Sequence, residues 1–310
     1  MKVNNCLSVS KSIQAGVPQG SILGPLLFNV YFNSIAYEIL ANKYANIALY
    51  ADDLASWVIS PYLHIINKQL QLICDKILKW MRKWRMLVSL SKTVVSLFNR
   101  ANKNRSKEIE VYNNGTRLNT DNNPKFLGIT LDPGLHFHKN TEIIVNRAKN
   151  RLKMLRKLKG TSWGVSSSLI ITTYKILIRS LIDYAALTIS LLSKTSLNKL
   201  ESIQRNAIRI AYRCPPNTSC EELLQISCLE SIESRSIQQA NKFLRKSIRY
   251  DNQNVRKKIE NYAKYPDIQE GAISNKAPKT TLLGNLLNND SSKMNLITIS
   301  LLISDLNHQS

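Results

Sequence analysis

Asp52 and Asp53 stand side by side inside an apolar run, with Ile47-Ala48-Leu49 before them and Leu54 to Ile59 after. Neighbouring residues of a strand point to opposite faces, so an unbroken strand here would drive one carboxylate into the core. A tight turn lets both reach a shared edge. Residues about 44–60 are therefore predicted to form a β-hairpin turning at Tyr50-Ala51-Asp52-Asp53. Paired carboxylates on such a turn suit divalent metals, which take oxygen ligands. Asp also settles into turns for local reasons, because its side chain satisfies turn backbone. Context has to separate the two readings.

Val94 to Phe98 and Phe126 to Leu131 are two further β-like runs, divided by the polar segment Asn99 to Asn123 with its Asn114-Gly115 turn signal. After Pro133-Gly134 the pattern is helical almost to Tyr250. Cys214-Pro215-Pro216-Asn217 interrupts it, and Ser219 with Glu222 three residues later is a capping box that restarts it. From Asp251 the chain turns polar, with weaker periodicity and an Asn/Ser-rich end. Strands interleaved with helices, then helices alone, give an α+β class followed by an all-α piece. The implied division is 1–138, 139–250 and a polar extension 251–310 of unknown role.

Charge is the second constraint. The chain carries 43 Lys+Arg against 21 Asp+Glu, a formal net charge of +22. Residues 1–60 are neutral, whereas 61–100 and 139–160 each carry eight basic residues against one acidic, and 161–213 seven against two. The basic bands coincide with helical periodicity. Leu63, Ile66, Leu70, Ile73, Ile77, Trp80, Trp84 and Leu87 mark one helix face, with Lys68, Lys76, Lys79, Arg82, Lys83 and Arg85 mostly off it. Ile144, Ala148, Leu152, Leu155 and Leu158 line a second helix whose other faces carry Arg147, Lys149, Arg151, Lys153, Arg156, Lys157 and Lys159. A third offers Arg205, Arg209 and Arg213 opposite Leu200, Ile203, Ala207 and Ile208. One such helix is an ordinary solvated face. Three of one sign call for a polyanionic partner, and nucleic acid is the commonest.

Other classes fall away. Five Cys spread from Cys6 to Cys228 make no secreted disulfide framework, and Cys214, Cys220 and Cys228 lack zinc spacing. Met1 to Ser10 has no apolar core of a signal peptide. Ser12 to Tyr37 is 26 residues without a charge, but Gln14, Pro18, Gln19, Pro25, Asn29 and Asn33 would strand polar groups in lipid. It reads as soluble core, with no membrane partner and an intracellular setting, nuclear or cytoplasmic.

Gly16-Val17-Pro18-Gln19-Gly20-Ser21, then Pro25-Leu26-Leu27-Phe28, then Tyr50-Ala51-Asp52-Asp53 resemble reverse transcriptases of non-LTR (LINE-type) retrotransposons. Trp80 to Thr93, with Ser91-Lys92-Thr93, is similar to the family's next palm motif, and Phe126 to Asp132 to the one after. The stretch from Arg147 through Tyr174, Asp183-Tyr184 and Leu200 to Gln225 resembles its helical thumb, so the likeness spans roughly 12–250. It implies a partial polymerase palm over 1–138 and a thumb over 139–250. It also implies Mg²⁺-dependent nucleotidyl transfer with an RNA template, a DNA primer and deoxynucleotides. Asp52 and Asp53 would hold metal, and Lys92 would lie near the leaving pyrophosphate. Gly16, Pro18, Gln19, Gly20 and Tyr50 would lie beside the template base and incoming nucleotide, and Leu127-Gly128 would belong to the primer grip.

Departures from the family pattern are equally readable. A further metal-binding aspartate and a fingers subdomain precede the Gly16 motif in the family, whereas the first 15 residues here contain no Asp or Glu, and Ser89 stands where Asn is usual. No RNase H constellation follows the thumb. The chain is thus expected to be the C-terminal part of a palm plus a thumb, from a truncated element or a mis-started gene model, with an incompletely encoded two-metal site. The alternative is a non-catalytic basic module that binds nucleic acid or packs as an interaction domain, and the isolated chain is expected to behave in this way, without activity.

Overall fold

Pro25 sits in the first turn of helix α1 (Gly24–Leu40), where its missing N–H costs nothing, and the Ser21 hydroxyl accepts the Gly24 N–H at 3.0 Å. The computed structural model describes residues 2–3, 6–7, 20–99, 108–160, 164–249 and 295–302. Gly16, Pro18 and Gln19 lie outside these residues. Two short strands, β1 (Lys2–Val3) and β2 (Cys6–Leu7), pair antiparallel ahead of α1.

The described residues fall into two units. The first runs to Leu97, resumes up to Asp121 and includes the segment 295–302. Here the expected hairpin forms: β3 (Ala45–Tyr50) pairs antiparallel with β4 (Asp53–Ser60), closing on Tyr50 opposite Asp53. Helix α2 (Leu63–Lys83) follows the sequence pattern, with Ile66, Leu70, Ile73 and Ile77 fully buried against α1 and the hairpin. Trp80 is buried and donates its indole N–H to Ser34 at 3.0 Å, and Trp84 packs beside it on Tyr31, so both tryptophans serve the core. Leu87, counted on the same stripe, lies past the helix end and is exposed. Strand β5 (Val94–Phe98), the small hairpin of β6 (Tyr112–Asn113) with β7 (Thr116–Arg117), and β8 (Asn119–Thr120) complete this part.

The sheet departs from expectation at its centre. Its order is β3, β4, then the C-terminal strand Asn295–Leu302, then β5 and β8. That strand runs antiparallel to β4 with Leu302 opposite Asp53 and Asn295 opposite Ser60. A segment read as polar extension thus supplies a central strand; its signal was the short apolar run Leu296 to Leu302, which local polarity on both sides obscured.

The second unit contains β9 (Lys125–Phe126) and β10 (Ile129–Thr130), followed by helices alone. The Phe126 to Leu131 run is not one strand: it folds back at Leu127-Gly128 with Phe126 opposite Ile129. Helix α3 (His138–Lys159) starts where Asp132 accepts the N–H of Phe137 at 2.6 Å, and it ends on Arg156, Lys157 and Lys159, whose charges favour a helix C-terminus. Then come α4 (Ser167–Tyr174), a π-helical turn Lys175–Arg179, α5 (Ser180–Tyr184), α6 (Ala186–Ile189) and α7 (Lys194–Tyr212). Helix α8 (Cys220–Ser227) begins on the predicted Ser219/Glu222 capping box, and α9 (Ile232–Arg249) closes the unit. Ala148, Leu155, Ile170, Ile178, Leu200 and Ala207 are fully buried in its core. A buried polar network joins its helices: the Tyr174 hydroxyl donates to Gln204 at 2.9 Å, and Gln204 and Arg179 donate to the Glu230 carbonyl at 2.8 and 3.2 Å.

Candidate active site

The hairpin gathers Tyr50, Asp52 and Asp53 at one end of the β3–β4 ladder, where the Tyr50–Asp53 pair closes on the two-residue turn Ala51-Asp52. Ala51 takes φ = +50°, a left-handed conformation that two-residue hairpins require at this loop position and that glycine adopts most cheaply. For alanine the cost is about 1 kcal/mol. The strands oppose it: Leu54 and Val58 are buried in the core, so the turn is held by the sheet rather than by its own preference. Tyr50 is exposed, Asp52 is exposed and Asp53 is half-buried.

Two neighbouring carboxylates repel. Partial burial raises the Asp53 carboxyl above its ordinary range, and the adjacent Asp52 charge raises it further. A divalent cation would reverse both penalties, and Mg²⁺ characteristically takes one or two carboxylates and completes its shell with waters and phosphate oxygens. The donor set fits that ion. Among the described residues no cluster of three or more Asp, Glu, His or Cys comes together, so Asp52 and Asp53 would hold part of a coordination shell and not all of it.

The other sequence candidates lie on separate elements. Gly20 has φ = +91° in the turn leading to α1, and a Cβ there would meet nothing within 4 Å, which leaves the backbone open to close approach. Lys92 is exposed on the loop entering β5; the Ser89 carbonyl shapes that loop by accepting the N–H groups of Lys92 and Thr93 at 3.2 and 3.0 Å. In the second unit Leu127 and Gly128 form the entire loop of the β9–β10 hairpin, with φ = +45° and +80°. Both loop residues are left-handed, the type I′ pattern, where the residues alone suggested one β-like run.

The basic helices separate into two kinds. On α3, Arg147, Lys149, Lys153, Arg156 and Lys157 are exposed, and neither ion pair found among the described residues, Arg117–Glu108 or Arg235–Asp183, involves them. The arginines of α7 instead hold their own unit. Arg209 donates to the carbonyls of Pro216 and Thr218 at 3.1 and 3.2 Å, Arg205 to the Cys220 sulfur at 3.1 Å, and Arg213 to the Gly160 carbonyl at 3.3 Å. Helical spacing alone could not distinguish an exposed cation from one that clamps a loop. No helix among the described residues is long and apolar enough to cross a membrane.

Comparison with known proteins converges on one chemistry. The family model described as "Reverse transcriptase (RNA-dependent DNA polymerase)" matches residues 1–131. The chain is similar to a "Probable RNA-directed DNA polymerase from transposon BS" of Drosophila melanogaster, 28% identical over 220 residues, which cover 69% of this chain and 24% of the relative. It is likewise similar to the "RNA-directed DNA polymerase from mobile element jockey" of Drosophila funebris, 29% identical over 210 residues, 66% of this chain and 23% of the relative. A third relative is the "Retrovirus-related Pol polyprotein from type-1 retrotransposable element R1 2" of Nasonia vitripennis, 27% identical over 157 residues, 48% of this chain and 37% of the relative. The chain spans about a quarter of the length of the first two. No solved structure matches it. Over residues 1–131 the chain is therefore similar to reverse transcriptases, and the relatives it resembles are polymerases named from transposons and mobile elements.

Proposed function

We propose that the chain is the metal- and primer-holding part of an RNA-directed DNA polymerase, with residues 1–138 as palm and 139–250 as thumb. The observation that carries this reading is the Tyr50-Ala51-Asp52-Asp53 turn, where two carboxylates share one exposed hairpin end on a sheet-anchored loop. Asp52 and Asp53 are the metal ligands of this proposal, with Mg²⁺ as the ion. When bound, a pair of such ions stabilises charge on the attacking and leaving oxygens of an in-line displacement at phosphorus. Asp53, half-buried, fixes the orientation of the pair, and exposed Asp52 faces the substrate side. Tyr50, paired with Asp53 across the turn, presents its ring beside the incoming nucleotide, and the open backbone at Gly20, with Gly16, Pro18 and Gln19, borders the template base. Lys92 serves the departing pyrophosphate as cation or proton donor. Leu127-Gly128 meets the primer end. RNA template, DNA primer and deoxynucleotides are the substrates.

Extension of a DNA primer on an RNA template, read on a sequencing gel, tests this. Whatever Mg²⁺-dependent extension the chain supports is expected to fall at least about a hundredfold in Asp52→Ala, the scale of removing one charge-stabilising group. Extension that survives Asp52→Ala undiminished would sink the assignment.

The exposed basic face of α3 favours a second reading, a module that binds nucleic acid without catalysis. A chain that binds primer–template and never extends it decides for this alternative. In either case binding weakens as salt rises, and Lys149→Gln with Lys153→Gln lowers the slope of log affinity against log salt by about two.

A further inference from the structure

Tyr184 is the last residue of the short helix α5, and two-thirds of its surface is exposed. Its hydroxyl nevertheless donates to the Leu127 carbonyl at 2.5 Å. Its ring lies over Gly128: a Cβ on that glycine would stand 3.2 Å from Tyr184 Cε1 and 3.4 Å from the hydroxyl oxygen. The β9–β10 hairpin needs such a support. Its strands are two residues each, too short to hold a turn by ladder pairing, and Leu127 is a bulky residue kept at φ = +45°, where side chains are disfavoured. Tyr184 is itself held. The neighbouring Asp183 accepts bidentate hydrogen bonds from Arg235 of α9, at 2.8 and 2.8 Å, which ties the end of α5 to the helical scaffold. The chain of support runs from the α9 guanidinium through α5 to the turn, and every link lies within the second unit.

We infer that Tyr184 is a positioning residue for the Leu127-Gly128 turn: its hydroxyl fixes the Leu127 carbonyl and its ring sets the height of Gly128, so that the turn presents one fixed backbone edge to the primer 3′ end. Gly128 is required there twice over, for its positive φ and for the ring above it. The inference rests on the proposed primer role of this turn, but the fixing of the turn can be measured without any nucleic acid.

Two measurements on the full chain separate these claims. Amide hydrogen exchange at Gly128 and Ile129 is expected to rise about threefold to tenfold in Tyr184→Phe, the range one hydrogen bond supports, with the thermal midpoint nearly unchanged. Unchanged exchange at these amides would overturn the inference. Second, fluorescence anisotropy compares a duplex with a recessed primer 3′ end against the same duplex closed by a loop. The parent is expected to prefer the recessed end, and Tyr184→Phe and Gly128→Ala both to lose that preference while keeping affinity for the closed duplex. A structural defect would lower both affinities together. Faster exchange in Tyr184→Phe combined with no preference in the parent would uphold Tyr184 as the support of the turn and overturn the primer role instead. Gly128→Ala adds one check: its effect is expected to shrink in a Tyr184→Ala background, because the ring it would meet is gone, and strict additivity would contradict the packing described.

Discussion

Two of the two-residue hairpin turns among the described residues, Ala51-Asp52 and Leu127-Gly128, are held in opposite ways. Ala51-Asp52 caps strands of six and eight residues whose inner faces are buried, so a core of Leu54, Val58 and the helices behind them imposes the turn. Leu127-Gly128 caps strands of two residues, and a single tyrosine from a later helix supports it. The difference suits the roles proposed for the two turns. Two like charges in close contact push apart, and only a stiff frame keeps them together ready for a cation. The Leu127-Gly128 turn, proposed to meet the primer through its backbone, has no such repulsion to resist and depends on one contact from α5.

The largest expected effect breaks the first frame. Leu54→Ala should cost about 2–5 kcal/mol in urea unfolding, because it empties a fully enclosed site beneath the carboxylate turn. Ile129→Ala, at the half-buried equivalent of the second hairpin, should cost less than half as much. Equal losses would mean that the two hairpins are supported alike.

Glycine exchange gives opposite signs at the two turns. Ala51→Gly relieves a left-handed alanine and is expected to stabilise by a few tenths to about 1 kcal/mol, after the entropy of the freer unfolded chain is subtracted. Gly128→Ala is expected to destabilise by about 1–2 kcal/mol, since it adds the same backbone strain and meets the Tyr184 ring. Thermal midpoints of the two variants should therefore move in opposite directions.

The smallest effect is the pH dependence of the carboxylate pair. Asp53 has a folded-state pKa above its unfolded value, so the folded chain binds this proton more tightly than the unfolded chain does. The ionised group therefore costs stability at neutral pH, and the cost fades as pH falls through the raised value and is gone below the unfolded value of about 4. Asp53→Asn should be slightly more stable than the parent at pH 7, with the gap closing in acid. Saturating Mg²⁺ should close the same gap at pH 7. A gap that persists in acid, or that Mg²⁺ leaves untouched, would show that Asp53 charge is not its source.

Much of this was legible before any coordinates. Asp52-Asp53 between apolar runs has one economical solution, and the hairpin follows; the helix stripes of α2, α3 and α7 and the Ser219 capping box are equally local signals. What escaped was non-local. The turn hidden in Phe126 to Leu131 lies in a run whose apolar residues read as one strand, and Tyr184, 57 residues downstream, carries no mark of the carbonyl it holds. Arg205, Arg209 and Arg213 share a helical spacing with the cations of α3, yet their partners come from the start of α8, the loop before it and Gly160. The strand Asn295–Leu302 joins the sheet from the far end of the chain, a pairing that period and polarity cannot encode.

The metal role proposed for Asp52 and Asp53 can be measured at the turn itself. Trace Mn²⁺ added to the isotope-labelled chain in the presence of primer–template should broaden the amide signals of Ala51, Asp52 and Asp53 first, and Asp52→Asn with Asp53→Asn should abolish that broadening while the rest of the spectrum is retained. Broadening at the turn that persists undiminished in the doubly substituted chain would contradict a metal held by these two carboxylates.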